Sequence, residues 1–273
     1  MSEHKDYHIA AVDRSLRVLE ALAEQPRMGV TDLARKLGLT KSITFRLLHT
    51  LEARGFVSRD ADQPIYSLGY RIGVLGERAG QQNTLLAAAK PALERLRDET
   101  SENINLVVRE GAQVLVLATL AGRHAMRIFA LAGRYGPLHA GGGSLLMLAW
   151  APSAVQEEVL AQRLEPFTAD TITDPVLLRQ RIDQIRAQGY NISINDLDEG
   201  AFSIAAPIRN VSGAVIAALS VAGAMARLDD DRQQQFLTLV REAADEISGK
   251  LGIGTPVAQP ACQTEVPVSD FEK

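Results

Sequence analysis

The stretch that most constrains this chain is VTDLARKLGLTKSITFRLLHTLEARGF, residues 30–56. Thr31 is placed to cap a short helix whose Leu33 and Leu37 share one face, and Gly38 stands where a left-handed residue ends it. Only Leu39 intervenes before Thr40, which caps a further helix running to about Arg54 and closed by Gly55. Two short helices joined through such a glycine turn have the spacing of a helix-turn-helix. On a helical wheel, Ile43, Leu47, Leu48 and Leu51 fall on one side of the second helix. Ser42, Phe45, Arg46 and His49 fall on the other, with Lys41 at its margin. Ahead of the pair, Val12, Leu16, Leu19 and Ala23 give residues Ile9–Glu24 a helical period, and Pro26 follows its end. Behind it, FVSRD and IYSLG flank a turn at Ala61–Pro64 and read as a two-stranded ribbon. The unit is expected to be a winged helix-turn-helix.

Charge separates this segment from the rest. Between Gln25 and Arg59 lie seven basic residues (Arg27, Arg35, Lys36, Lys41, Arg46, Arg54, Arg59) and two acidic ones (Asp32, Glu52), a balance of +5. The whole chain carries −4, which leaves −9 for the remainder. A basic domain joined to an acidic body suits a chain in which one domain meets a polyanion and the other has a different task. A solvated charged face is the alternative.

The length of 273 residues suits two domains. Tyr70–Gln82 reads as a helix with Ile72, Leu75 and Ala79 on one side, and Leu85–Thr100 as a second helical stretch interrupted early by Pro91. Beyond it the pattern turns β-rich. Ile104–Arg109 and Val114–Thr119 flank Glu110-Gly111 as a hairpin, and Arg127–Leu131 reads as another strand. Helices follow at Ser144–Trp150, Ser153–Gln162 and Pro175–Gly189. Tyr190–Ile194, Phe202–Arg209 and Ala214–Ala222 read as strands, then Asp229–Leu251 as a closing helix. The expected division is 1–69 for the winged helix, 70–84 for a linker helix, 85–253 for the second domain and 254–273 for a disordered tail.

Composition excludes several classes. With 46% hydrophobic and 23% charged residues the chain is an ordinary globular one. The single cysteine, Cys262, allows no internal disulfide, and the five histidines never fall at zinc-ligand spacing with it, so no metal and no cofactor are expected. The start, MSEHKDYHIA, lacks an apolar signal core, and no apolar run reaches the ~18 residues of a membrane span. A cytoplasmic location without membrane association is the expectation. G-x-S-x-G, G-x-x-x-x-G-K-[ST], H-E-x-x-H and G-x-G-x-x-G are all missing, so the chain is not expected to be an enzyme.

Three constellations could carry function. On the polar face of the third helix, Arg46 can donate twice to guanine and Phe45 can meet a thymine methyl in a major groove. Thr40, Lys41, Ser42 and His49, with Arg59 on the wing, suit phosphate contacts. Packing of Phe45 against a neighbour, or an ion pair of Arg46 with Glu52 or Asp60, are the structural alternatives. The second constellation is Pro137-Leu138-His139-Ala140-Gly141-Gly142-Gly143-Ser144, directly ahead of an apolar helix. Glycines let backbone amides approach a small anion at a helix N-terminus, although such a run is equally a tight packing corner. The third comprises Asp196, Ser203 and Ser220, polar residues in apolar surroundings, which either bond the local backbone or face a ligand cavity.

From Ile9 to Gly252 the sequence resembles the IclR family of bacterial transcriptional regulators. The residues that carry the resemblance are VTDLARKLGLTKSITFRLLHTLEARGFV, then YSLGYRIGVLG, then GPLHAGGG, then GY and EGAFSIAAPIRNVSGAVIAALSVAG. The resemblance implies an α+β chain: an N-terminal winged helix-turn-helix domain, a helical linker that dimerises, and a C-terminal GAF-like effector domain with an antiparallel sheet. It implies a homodimer or homotetramer on a double-stranded DNA operator, controlled by a small-molecule acid. In members that bind small acids the carboxylate is held by backbone amides at the positions of Gly142 and Gly143, with polar contacts at positions matching Ser193, Ser203 and Ser220. Here Ser144-Leu145-Leu146 replaces the usual Gly-Lys-Ala, Asp196 stands where Glu is usual, Ser203 where Cys is frequent, and Ala222 where a second Ser can occur.

The expected function is sequence-specific DNA binding controlled by a small carboxylate near Met126, Gly142, Gly143, Ser193, Asp196, Ser203 and Ser220. Glyoxylate or a similar 2-oxo acid is favoured, because those residues are mostly small and polar, no Lys or Arg is evident beside them, and backbone amides suit a compact carboxylate. An aromatic acid, walled by Met126 and Phe129, is the runner-up. A constitutive regulator and a metabolic enzyme using His139 are the remaining alternatives.

Overall fold

The structure is a computed structural model that describes residues 9–82, 84–124 and 131–253. The chain divides into two compact units, the first ending with Gln82 and the second comprising the residues after it.

The first unit contains α1 (Ala10–Glu24), β1 (Met28–Gly29), α2 (Val30–Leu37), α3 (Lys41–Ala53), β2 (Val57–Arg59), β3 (Ile65–Leu68) and α4 (Tyr70–Gln82). Val18 and Leu22 of α1, Leu33 of α2, Leu48 of α3, and Val57 and Tyr66 of the ribbon close one apolar core. Gly38 takes the left-handed conformation, φ +66°, and lets the Leu39 amide bond back to the Ala34 carbonyl at 2.9 Å. Thr40 caps α3, its hydroxyl accepting from the Ile43 amide at 3.3 Å. Thr44, fully buried, donates its hydroxyl to the Thr40 carbonyl at 3.0 Å.

Two local expectations are corrected. Thr31 does not cap α2: the helix begins at Val30, with Gly29 as its extended N-cap. The reason is that Met28 and Gly29 pair with Tyr66 and Ile65, so the chain passes from a strand directly into the helix. The same pairing makes the wing a three-stranded sheet, order β1-β3-β2, where a two-stranded ribbon was expected.

The second unit contains α5 (Thr84–Thr100), β4 (Asn103–Glu110), β5 (Gln113–Leu120), β6 (Tyr135–Pro137), α6 (Gly142–Ala149), α7 (Ser153–Ala161), α8 (Pro175–Gln188), β7 (Asn191–Ile194), β8 (Ala201–Arg209), β9 (Val215–Ala224), a 3-10 turn (Met225–Arg227) and α9 (Asp230–Ile253). The six strands form one antiparallel sheet in the order β6-β5-β4-β9-β8-β7. Alternation along the strands loads both faces. Ile104, Leu106, Ile204, Leu219 and Val221 pack with α5 and α9, whereas Val107, Ala205 and Ala218 pack with α6, α7 and α8. The helix α5 continues through Pro91 instead of being interrupted there. Pro91 is exposed, so the carbonyl left without its N–H partner can turn to water while Ala89, Ala92, Leu93 and Leu96 keep the buried stripe.

The strand β6 was not expected. Residues 127–130 of the strand that was expected, with Met126, lie outside the described residues, and Leu131 is not in a strand. The tail 254–273 lies outside them as well. Among the described residues no helix is long and apolar enough to cross a membrane, and no group of three His, Cys, Asp or Glu is placed to hold a metal ion.

Candidate functional site

In the first unit the sequence-predicted residues of α3 share one face. Lys41, Ser42, Phe45, Arg46 and His49 are all exposed, with Thr40 at the start of the helix and Arg59 on β2. Phe45 is 52% exposed, and its ring stacks on His49 one turn later, 6.3 Å between centroids. It covers no neighbouring helix, so the packing alternative fails. The Arg46 ion pair also fails: among the described residues Arg46 pairs with neither Glu52 nor Asp60, and the Asp62 amide, then Arg27 at 3.1 Å, hold the Asp60 carboxyl below its usual pKa.

Counting the internal ion pairs refines the charge argument. Arg35 meets Asp32 at 3.4 Å, Lys36 meets Glu24 at 2.8 Å, and Arg27 meets Asp60. Among the described residues Lys41, Arg46, Arg54 and Arg59 make no ion pair, so these four carry the uncompensated positive charge of the segment.

In the second unit a cavity of about 290 Å³ opens between the sheet and the N-terminus of α6. Gly142, Gly143, Ser193, Asp196, Ser203 and Ser220 all line it. Topology explains the convergence: Asn105 pairs with Ser220, Ser203 with Ala222, and Ser193 with Ser203, so every one of these side chains belongs to one face of the sheet.

The glycine run does two jobs. Gly141 adopts φ +93°, which favours glycine, and its amide donates to Asp196 Oδ2 at 3.1 Å. Gly142 and Gly143 are the first residues of α6 itself, earlier than the Ser144 start expected. A Cβ on Gly142 would lie 2.8 Å from both the Cβ and the carbonyl oxygen of Ser203, so the helix end is pressed onto β8. Asn191 fixes it further by donating from Nδ2 to the Gly142 carbonyl at 3.0 Å. At the far end, Gln156 and Arg186 donate to the Leu148, Ala149 and Ala151 carbonyls and hold α6 from behind.

The amides of Gly142, Gly143 and Ser144 are buried and have no hydrogen-bond acceptor among the described residues. These are the free donors of a helix N-terminus, where the backbone dipoles also concentrate positive charge. Beside them the hydroxyls of Ser144, Ser203 and Ser220 make no hydrogen bond within the described residues, although Ser220 is only 3% exposed. Unpaired amides and hydroxyls facing a cavity can hold the oxygens of a small anion.

Other expectations are modified. Ser193 and Asp196 line the cavity but are already engaged, the Ser193 hydroxyl donating to Asp196 Oδ1 and the Thr171 hydroxyl to the Asp196 carbonyl at 2.7 Å. His139 is a structural residue: its Nε2 bonds the Glu165 carbonyl at 2.9 Å and its ring stacks on Phe167. The statement that no Lys or Arg stands beside the pocket is wrong, because Arg134 is in the cavity wall. Asn105, Val107 and Asp198 are further wall residues that sequence reasoning missed. A signal for Asn105 existed, since it is a polar residue inside an apolar strand, as Ser203 and Ser220 are. Burial, then the charge of Asp196, raises the Asp198 carboxyl above its usual pKa.

Residues 78–249 match the family model for the bacterial transcriptional regulator IclR C-terminal domain, and residues 11–61 match the IclR helix-turn-helix domain. The HTH-type transcriptional regulator KipR of Bacillus subtilis is 32% identical over 88% of this chain and 96% of its own length. BhcR of Paracoccus denitrificans is 34% identical over 88% and 86%. Among solved structures, an IclR regulator from Alicyclobacillus acidocaldarius superposes with a TM-score of 0.83 at 26% identity, over 90% of this chain and all of that one. An IclR homolog from Microbacterium hydrocarbonoxydans, solved with 4-hydroxybenzoate, gives 0.82 at 30% identity over the same shares. These curated relatives are transcriptional regulators, not enzymes. The chain belongs to the IclR family of bacterial transcriptional regulators, with a helix-turn-helix domain and an effector-binding C-terminal domain.

Proposed function

We propose that this regulator reads a double-stranded operator with α3 and is switched by a small carboxylate held at the N-terminus of α6. In the DNA complex Arg46 and Phe45 meet base edges, and Thr40, Lys41, Ser42, His49 and Arg59 meet phosphates. The linker spans residues 70–84, and the chain acts in the cytoplasm as a homodimer or homotetramer that places two heads on two half-sites.

The observation that carries the effector site is the set of free amides at Gly142, Gly143 and Ser144 beside the free hydroxyls of Ser203 and Ser220. A carboxylate supplies the acceptors these donors lack, and Asp196, bonded by Gly141, borders the same position. Glyoxylate suits that corner, but a two-carbon acid takes the room of about two or three waters, each ~30 Å³ in the liquid. The cavity of about 290 Å³ therefore also admits a larger acid, and the 4-hydroxybenzoate complex of the Microbacterium relative favours an aromatic acid as the second reading.

Thermal unfolding against glyoxylate, pyruvate, glycolate and 4-hydroxybenzoate tests the proposal. An acid present at about 100 times its Kd stabilises the native state by ~2.7 kcal/mol and raises the midpoint. Loss of that shift in Ser220→Ala is the expected result. A shift that Ser220→Ala leaves intact removes the site from this cavity, and no shift with any acid favours constitutive binding.

A further inference from the structure

The cavity has a cationic wall residue that a simple monocarboxylate leaves unused. Arg134 immediately precedes β6, whose three residues Tyr135, Gly136 and Pro137 pair with the edge of β5. Its own backbone is fastened there as well: the Val116 amide donates to the Arg134 carbonyl at 2.9 Å, and the Arg134 amide to the Leu131 carbonyl at 3.2 Å. The root of the side chain is thus fixed while its guanidinium makes no hydrogen bond or ion pair among the described residues. Along the chain, β6 and then residues 138–141 separate Arg134 from the first free amide of α6. The strand alone covers roughly 7–10 Å at ~3.3 Å per residue. The cavity wall also carries the apolar side chains of Val107, Val114, Val116 and Leu197.

The remaining charges on this wall are acidic. Asp196 is bonded by Ser193 and by the Gly141 amide, and Asp198 lies beside it. Arg134 is therefore the one basic side chain among the described residues that line the cavity. An anion in a cavity whose wall also holds two carboxylates gains most if it reaches that guanidinium, whose planar fork matches a carboxylate or phosphate with two parallel hydrogen bonds.

Building on the carboxylate reading above, we propose that the effector is an acid with two anionic ends, one on the α6 amides and the other on Arg134. A short apolar or hydroxylated chain joins them. The second group is a carboxylate or a phosphate, since both present the oxygens Arg134 requires. Arg134 is then the residue that sets ligand length and class, whereas the α6 amides and Ser220 serve any carboxylate.

Isothermal titration of the full-length protein with matched pairs tests this: butyrate against succinate, hexanoate against adipate, and lactate against 3-phosphoglycerate. At least one two-ended acid is expected to bind about tenfold tighter than its one-ended partner, the equivalent of ~1.4 kcal/mol. Arg134→Gln is expected to remove that advantage by weakening the two-ended acid far more than the one-ended acid, and Arg134→Lys to restore part of it. Ser220→Ala is expected to weaken both members of each pair. The succinate, adipate and phosphoglycerate arms separate the two sources of the second anion. One-ended acids binding as tightly as two-ended ones, or a two-ended preference untouched by Arg134→Gln, overturn the role of Arg134 and leave the carboxylate site standing. Absence of binding by every acid overturns both. Arg134 is exposed, so the variants keep the fold.

Discussion

Arg46 and Lys41 both lie on α3, five positions apart, yet they are assigned different tasks. Arg46 lies within the exposed face with Phe45 and His49, and Lys41 at the start of α3, so the proposal gives Arg46 the base edges and Lys41 a phosphate. Arg46→Ala is expected to cost ~1–3 kcal/mol on specific DNA and to relax sequence preference. Lys41→Ala is expected to weaken specific and random duplex alike and to lower the salt slope by about one phosphate contact. Fluorescence anisotropy over a salt series, on selected and scrambled duplexes, measures both. Equal loss on the two duplexes with Arg46→Ala contradicts a base-reading role. The residues that could be assigned from sequence are those whose role is set locally. Gly38 ends a helix and Thr40 starts one because of bonds made within a few positions. Arg134 escaped notice because nothing near it in the chain marks it, and Asn105 because its one local signal, a polar residue in an apolar strand, does not say what it faces. Only the pairing of β4 with β9, and of β6 with β5, brings them to the serines.

At the scale of the element, α6 is fixed at both ends before any ligand arrives. Its first residue abuts Ser203 and is bonded by Asn191, and its last carbonyls are taken by Gln156 and Arg186. A helix so held presents its free amides without the ordering cost that a mobile loop would add on binding. Gly142→Ala puts a Cβ where Ser203 and its carbonyl already are, an overpacking that costs ~1–3 kcal/mol. Alanine's better helix propensity offsets at most about 1 kcal/mol of that. Urea unfolding of the variant is expected to show a lower midpoint with an unchanged slope; an unchanged midpoint would mean that α6 is not pressed onto β8. Element types were largely readable, because long helices such as α8 and α9 and the β8–β9 hairpin carry strong periodicity. Short elements were not: β1 has two residues and β6 three, too few for any period, and each exists only because a partner strand supplies its hydrogen bonds. The Thr31 cap failed for the same reason, since β1 pairing moved the start of α2 to Val30.

At the scale of the whole molecule, the charge division seen in the sequence corresponds to two compact units. Among the described residues, the unit carrying α3 leaves Lys41, Arg46, Arg54 and Arg59 without an ion pair, and the unit carrying α6 holds a cavity with two carboxylates and one guanidinium in its wall. A ligand in the second unit can control DNA binding by the first only if it binds the DNA-competent and DNA-incompetent states with different affinities. The premise on which that control rests is that an acid occupies the α6 amides. Hydrogen exchange read by mass spectrometry tests this most directly, using whichever acid raises the thermal midpoint. The account predicts slowed exchange in peptides covering Gly142, Gly143 and Ser144 when the acid is bound, and no such slowing in Ser220→Ala at the same acid concentration. An acid that stabilises the protein yet leaves exchange at those three amides unchanged would contradict it.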